Sequence, residues 1–401
     1  MDDNDTLLKY HFSGSDNKSV PTHDTILPAP VLKGLEDYYV PCLAAIGCCV
    51  NLISSVIFSR NTTLRRFSSS HYLAAVTAAD TGFMMTLLIM WLPRIHISFY
   101  LEEGFCQLFL SCNYIFHFLS IWFNVAFLTD VYISTCRPSK AKEMCTVIRS
   151  KFVITGLTVL AIVMFMHVTW MSGVIQGMCM LLVPYDPELA FIDKIQTVVT
   201  ILMPDLTLVI LIALIVKKKV SDLCPSFRQS ANSVSNGCGQ VRTHYVRNTP
   251  ADGASLGTQM ANSVHSSDMT IVAMCLVLLH VVTTLPDHCI KLWFYSLQMV
   301  YGDMGFQPSP YEYSLQKLFS HLGQLRFVLN FVMFIIVSSD FQTAIRDSVS
   351  LICKRLFKCS PRRKRAPRCT DGRVIEESFS LTDETVSKST TGDVKHADVE
   401  V

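Results

Sequence analysis

The residues with chemical potential in this chain lie where apolar side chains would be expected. Asn51, Asp80, Asn113, His117, Ser120, Asn124, Asp205, His280, Asp287, His288, Lys291, Arg326 and Asn330 all fall inside long apolar stretches. A polar or ionisable group in hydrocarbon is costly and is by default a functional candidate. Their spacing does not describe an enzyme. No His/Cys set has metal-ligand spacing, no glycine-rich loop would cradle a phosphate, and no nucleophile elbow is present. The chemistry expected is ligand binding and charge pairing inside a membrane, with no catalytic residue, metal or cofactor. Asn113, His117, Ser120 and Asn124 advance by four, three and four, which places them on one narrow helical face.

The elements that carry these residues follow from composition. Of 401 residues, 50% are hydrophobic and only 16% charged, and the mean hydropathy is +0.36. A soluble domain carries about a quarter of charged residues, so a membrane protein is expected. Seven apolar segments run through roughly 38–58, 72–93, 105–129, 152–176, 195–216, 270–297 and 314–338. The first has 21 residues and no formal charge, enough at ~1.5 Å per residue to span a ~30 Å hydrocarbon core. No apolar run starts within the first 30 residues, so the first helix is expected to act as its own insertion signal.

Orientation follows from the bases in the loops. Arg60, Arg65 and Arg66 lie in the loop 59–71, and Arg137, Lys140, Lys142, Arg149 and Lys151 in the loop 131–151. Lys217, Lys218 and Lys219 open the loop 217–268, and the tail holds "CKRLFKCSPRRKRAPR". The alternate loops carry few bases, so the N-terminus is expected outside and the C-terminus inside. Sequons at Asn4 and Asn17 then lie outside and could be glycosylated. Cys106, heading the third segment, and Cys179, in the next outer loop, could form a disulfide in an oxidising compartment.

In this order and spacing, several motifs resemble the rhodopsin-class G-protein-coupled receptors over about 38–358. They are Asn51, Asp80, Cys106 with Cys179, "DVY" at 130–132 followed by Pro138, Pro204, "TLP" ending at Pro286, and "NFVMF" at 330–334. "SSDFQTAIRD" resembles the family's short eighth helix, and "TLPDHCIKLW" with "LNFVMF" are similar to invertebrate peptide receptors of the FMRFamide, myosuppressin and sex-peptide kind. The resemblance implies an all-α integral membrane protein, a seven-transmembrane helix bundle with a short amphipathic eighth helix. It divides into an outer tail 1–37, a bundle 38–338 with 217–268 as its third inner loop, an eighth-helix region 339–358 and an inner tail 359–401. It also implies a plasma-membrane receptor for an extracellular peptide, partnered by a heterotrimeric G protein, arrestin or both.

Asn113 stands where amine receptors carry an aspartate, and Gln324 where opsins carry the Schiff-base lysine. Neither of those classes is therefore favoured. Before the first segment, seven acids face three lysines, which suits a basic amidated peptide by steering and ion pairing; a merely solvated acidic surface is the alternative. Trp91, Asn113, His117, Asp287, His288, Lys291 and Gln324 are the expected pocket.

Departures from the family pattern cluster at the inner end. Val131 stands at the family's arginine, beside Asp130 and Tyr132; Phe334 replaces a tyrosine near Asn330, Phe331 a proline, Ile212 a fifth-segment tyrosine and Thr284 a tryptophan. Two pairs are expected inside the membrane. In related receptors Asp80, Ser120 and Asn330 surround a sodium ion, and Arg326, four residues before Asn330, is expected to fill that place and pair with Asp80; a guanidinium in a wet cavity that does not touch Asp80 is the alternative. Asp205 beside His280 is expected to form an ion pair that makes activation pH-dependent; each bonding a backbone carbonyl or water instead is the alternative. On the inner side, Cys353 and Cys359 suit palmitoylation, "PRRKRAPR" suits anionic lipid, and the Ser/Thr-rich acidic tail suits phosphorylation and arrestin. Val399-Glu400-Val401 fits a PDZ-domain ligand. Nucleic acid is not an expected partner. A receptor that recruits arrestin only, or clears or scaffolds without G-protein signalling, is the alternative function; a transporter, which would show an inverted repeat, is the distant one.

Overall fold

The computed structural model describes residues 29–175, 177–181, 192, 195–235, 253–301 and 309–356. The chain divides into two compact units, Met1–Cys353 and Lys354–Val401. Among its described residues the first unit contains seven helices long and apolar enough to cross a membrane: α1 Leu32–Arg60, α2 Ser68–Ile95, α3 Phe105–Cys136, α4 Val147–Met171, α5 Ile195–Asp222, α6 Asp268–Val300 and α7 Pro310–Val337. An eighth helix, α8, runs Ser339–Leu356. Each crossing helix is longer than the apolar run that announces it, except α4. That helix stops at Met171 because Ser172–Ile175 (β1) turns back through Gly177 (φ 74°) to pair antiparallel with Met178–Leu181 (β2). A positive φ in so tight a hairpin is readily met by glycine.

Local sequence explains the helix ends. Thr146 caps α4 by accepting from the Arg149 N–H. α7 starts on a capping box: Ser309 N–H donates to Glu312 Oε2 at 2.8 Å, the Glu312 N–H donates to Ser309 Oγ, and Pro310 occupies the first helical position. α7 breaks at Leu325, dividing into Pro310–Gln324 and Arg326–Val337. α5 opens with a π-helical stretch, Val198–Leu202, just before Pro204, whose missing N–H leaves the ladder incomplete.

Packing is closest around α2 and α3. A Cβ on Gly82 would come within 2.6 Å of the Phe116 ring, so any larger residue there would force the ring or the helices to shift. The disulfide Cys106–Cys179 ties the head of α3 to β2. Phe58, Leu73, Leu128, Val131, Leu208, Ile215, Val272 and Phe334 form the inner core, while Val76, Phe118, Phe165 and Val168 fill the space among α2, α3 and α4. Large apolar side chains such as Leu52, Val159, Trp170 and Leu278 point outward, as a lipid-facing surface requires.

Candidate functional site

A cavity of about 440 Å³ opens among α2, α3, α5, α6 and α7. Asn113, His117, Asp287, His288, Lys291 and Gln324 all line it; Trp91 does not. Trp91 instead donates its indole N–H to the Glu36 carbonyl at 3.1 Å, so it holds α1 to α2 at the rim. The lining also includes Gln196 and Thr200, one turn apart on α5, and Phe83, Leu87 and Phe327. Gln196 and Thr200 have the i, i+4 polar spacing that would have revealed them in the sequence.

Several oxygens of the lining residues have no donor. Gln196 Oε1, Thr200 Oγ1, Asp287 Oδ1 and Gln324 Oε1 are buried without a hydrogen-bond partner. Asp287 gives its other oxygen to Lys291 Nζ at 2.7 Å, one turn along α6, and Asn113 donates to Thr86 Oγ1 at 3.0 Å. A buried oxygen left unpaired costs about 1–3 kcal/mol; a bound group rich in N–H would meet these oxygens where their side chains turn toward the cavity.

Immediately beside the cavity, Asp205 joins two imidazoles. Its Oδ1 lies 3.0 Å from His280 Nε2 and its Oδ2 lies 2.6 Å from His288 Nδ1. The family resemblance pointed to His280 alone. His288 is eight residues further along α6, with Pro286 between them, and only the approach of α5 brings both to one carboxylate.

Deeper in, Asp80 is fully buried. Ser120 Oγ donates to its Oδ1, and Asn330 Nδ2 donates to its Oδ2 at 3.2 Å. Arg326 donates to Ser120 Oγ at 3.2 Å while its guanidinium lies 4.1 Å over the Phe327 ring. The direct Arg326–Asp80 pair expected from sequence therefore becomes a bridged one. Serine and asparagine already hold both carboxylate oxygens, and the guanidinium meets the serine hydroxyl instead. Asn51 completes this level by donating to the Phe327 carbonyl at 2.9 Å, just past the break in α7.

At the inner end, Val131 is 2% exposed and sits in the apolar core. Its neighbour Asp130 takes the Ser68 hydroxyl at the first residue of α2, 2.8 and 3.0 Å from its two oxygens. The Cys145 thiol donates to the Asp130 carbonyl at 3.5 Å; burial, then the Asp130 charge, push that thiol up to about 12. Tyr132 and Ile212 pack against the same core. Phe334 meets Phe58 edge-on at 5.2 Å, and Phe341 of α8 stacks on Phe58 at 5.0 Å. Rings thus fill the level at which the resemblance implies an arginine and tyrosines.

At the outer rim, Arg94 holds Glu36 at 2.7 Å and also Asp37, and Lys317 holds Glu36 at 2.9 Å. Two of the seven tail acids are thereby neutralised, which weakens the case from an acidic mouth. Asn4, Asn17, Cys359, the tail phosphosites and the terminal Val399–Val401 lie outside the described residues; Cys353 lies on α8, with its side chain outside them.

Comparison with known proteins accords with this geometry. The family model described as "7 transmembrane receptor (rhodopsin family)" matches residues 50–337. Squid rhodopsin is similar in structure, with a TM-score of 0.59 at 14% identity, over 82% of this chain and 88% of that one; at that identity the likeness speaks for the fold. No curated protein sequence matches the chain. Seven membrane-crossing helices, the α3–hairpin disulfide, a polar cavity among the helices and a family model spanning nearly the whole bundle lead to one conclusion: the chain belongs to the rhodopsin family of seven-transmembrane, G-protein-coupled receptors.

Proposed function

We propose that this receptor binds a short, amidated extracellular peptide with a basic side chain, at the plasma membrane and with its N-terminus outside. One observation carries the reading. Four residues lining the cavity, Gln196, Thr200, Asp287 and Gln324, hold buried oxygens without partners. A guanidinium and a terminal carboxamide supply N–H groups in the number and planar geometry that such oxygens take. The carboxylate of Asp287 is the natural counter-ion, with the ligand displacing or sharing Lys291. Amidated peptides with arginine, citrulline or norleucine at one position test this in cells. The arginine form is expected to be at least tenfold more potent, and Asp287→Asn to remove the difference. Equal potency of arginine and norleucine forms would overturn it.

A second reading concerns output. The burial of Val131 among Leu208, Ile215 and Val272 leaves no cation at the position where the family presents one to its G protein. An arrestin-only or scavenging receptor is the function this favours. G-protein dissociation and arrestin recruitment are measured together in wild type and Val131→Arg. Arrestin recruitment by both, with G-protein dissociation only in the arginine variant, supports the second reading. G-protein dissociation by the wild type rejects it.

A further inference from the structure

We propose that Asp205, His280 and His288 form a zinc site that ties α5 to α6 beneath the ligand cavity. One donor atom from each of the three residues lies within 4.8 Å of the others. The two imidazoles converge although their residues are eight apart on α6, their ring centroids 6.1 Å from each other. Zn²⁺ takes nitrogen and carboxylate oxygen at about 2.0–2.2 Å in a tetrahedron, so its ligand atoms are about 3.4 Å apart. The imidazoles lie 3.0 and 2.6 Å from different oxygens of the carboxylate, so an ion held by one oxygen requires the carboxylate to turn as the contacts open.

The chemistry of the set fits. Two imidazoles and one carboxylate match zinc catalytic and regulatory sites that keep an open fourth position. Without metal, each imidazole offers its N–H to the carboxylate. On binding, each moves that proton to its other ring nitrogen and turns a lone pair to the ion, so neutral imidazoles need lose no proton. Thr284 lies both in the lining of the large cavity and beside Asp205 and His280 in a small adjoining pocket. His288 also lines the large cavity, so water or a ligand carbonyl from the cavity would complete the tetrahedron. His280 and His288 are buried, so a bound ion would be shielded from competing water. The residues serve as well without metal, as a carboxylate satisfied by two N–H donors, and the experiment separates these cases.

The full-length receptor, purified in detergent, is melted with Zn²⁺, with Mg²⁺ and with neither, following tryptophan fluorescence. Zinc, unlike magnesium, is expected to raise the melting temperature by about 5 °C at saturating concentration. The double variant His280→Gln, His288→Gln keeps an N–H donor for Asp205 at each position and is expected to lose the shift. Co²⁺ in the wild type is expected to give the visible d–d bands of a tetrahedral nitrogen and oxygen site. A zinc shift that is absent, or that persists in the double variant, overturns the proposal. So does a cobalt thiolate charge-transfer band, which would place the metal on cysteine. If the double variant does not fold, the cobalt spectrum of the wild type decides alone.

Discussion

The Ser68 hydroxyl lies 2.8 and 3.0 Å from the two oxygens of Asp130, across the junction of α2 and α3. An acid that lacks the family's adjacent arginine is thus held from a neighbouring helix, at that helix's positive end. With Val131 enclosed in apolar side chains, the inner end holds Asp130 through packing and neutral hydrogen-bond donors instead of an ion pair.

Ser68→Ala follows directly. It takes the Ser68 donor away from the buried Asp130 carboxylate, and such a loss costs about 1–3 kcal/mol. The melting temperature of the purified receptor is expected to fall by several degrees, with Ser68→Thr close to wild type. An unchanged melting curve for the alanine variant would remove Ser68 from the account.

Arg326 bears on sodium. With the guanidinium bridged to Asp80 by Ser120, the wild type is expected to melt at the same temperature in sodium and in choline chloride. Arg326→Asn vacates the place of the cation, and its melting temperature is expected to drop in choline and recover in sodium. Sodium dependence of the wild type would contradict the idea that arginine occupies this position.

Phe334 is fully buried between Phe58 and Phe341. Phe334→Tyr restores the residue type implied by the family pattern, yet it places a hydroxyl among rings. Without a partner that hydroxyl costs about 1–3 kcal/mol, so stability measured by thermal melting is expected to fall despite the conservative change. A gain in stability would mean that the hydroxyl finds an acceptor at the inner end.

Cys145 gives a pH dependence outside the membrane. Its thiol, pushed up to about 12 by burial and by Asp130, stays protonated well above the ordinary cysteine value near 8.5. Because only the thiolate is nucleophilic, alkylation at Cys145, read by peptide mass spectrometry, is expected to stay slow from pH 7 to 9. Asp130→Asn removes the second cause of the shift and is expected to speed the reaction in that window. Rapid labelling of the wild type at pH 8 would show that the thiol is neither buried nor beside a negative charge.

How much was legible in the sequence differs by feature. Residue type and order alone determine the seven crossings, because ~20 apolar residues in a row have one good solution in a bilayer, in which the helix satisfies its own backbone. The inner positions of Asp130, Val131, Asn330 and Phe334 follow from motif order, and six of the seven expected pocket residues do line the cavity. Trp91 does not, because an indole at a helix end can turn toward either side, and the Glu36 carbonyl takes its N–H. Tertiary structure alone decides which polar groups meet. Ser68 reaches Asp130 across 62 residues, His288 joins Asp205 across 83, and Ser120 stands between Arg326 and Asp80. A one-dimensional pattern gives the face of a helix on which a side chain lies. The neighbour it meets depends on helix rotation and offset, which the packing of Gly82 on Phe116, the break at Leu325 and the disulfide at Cys106 together set.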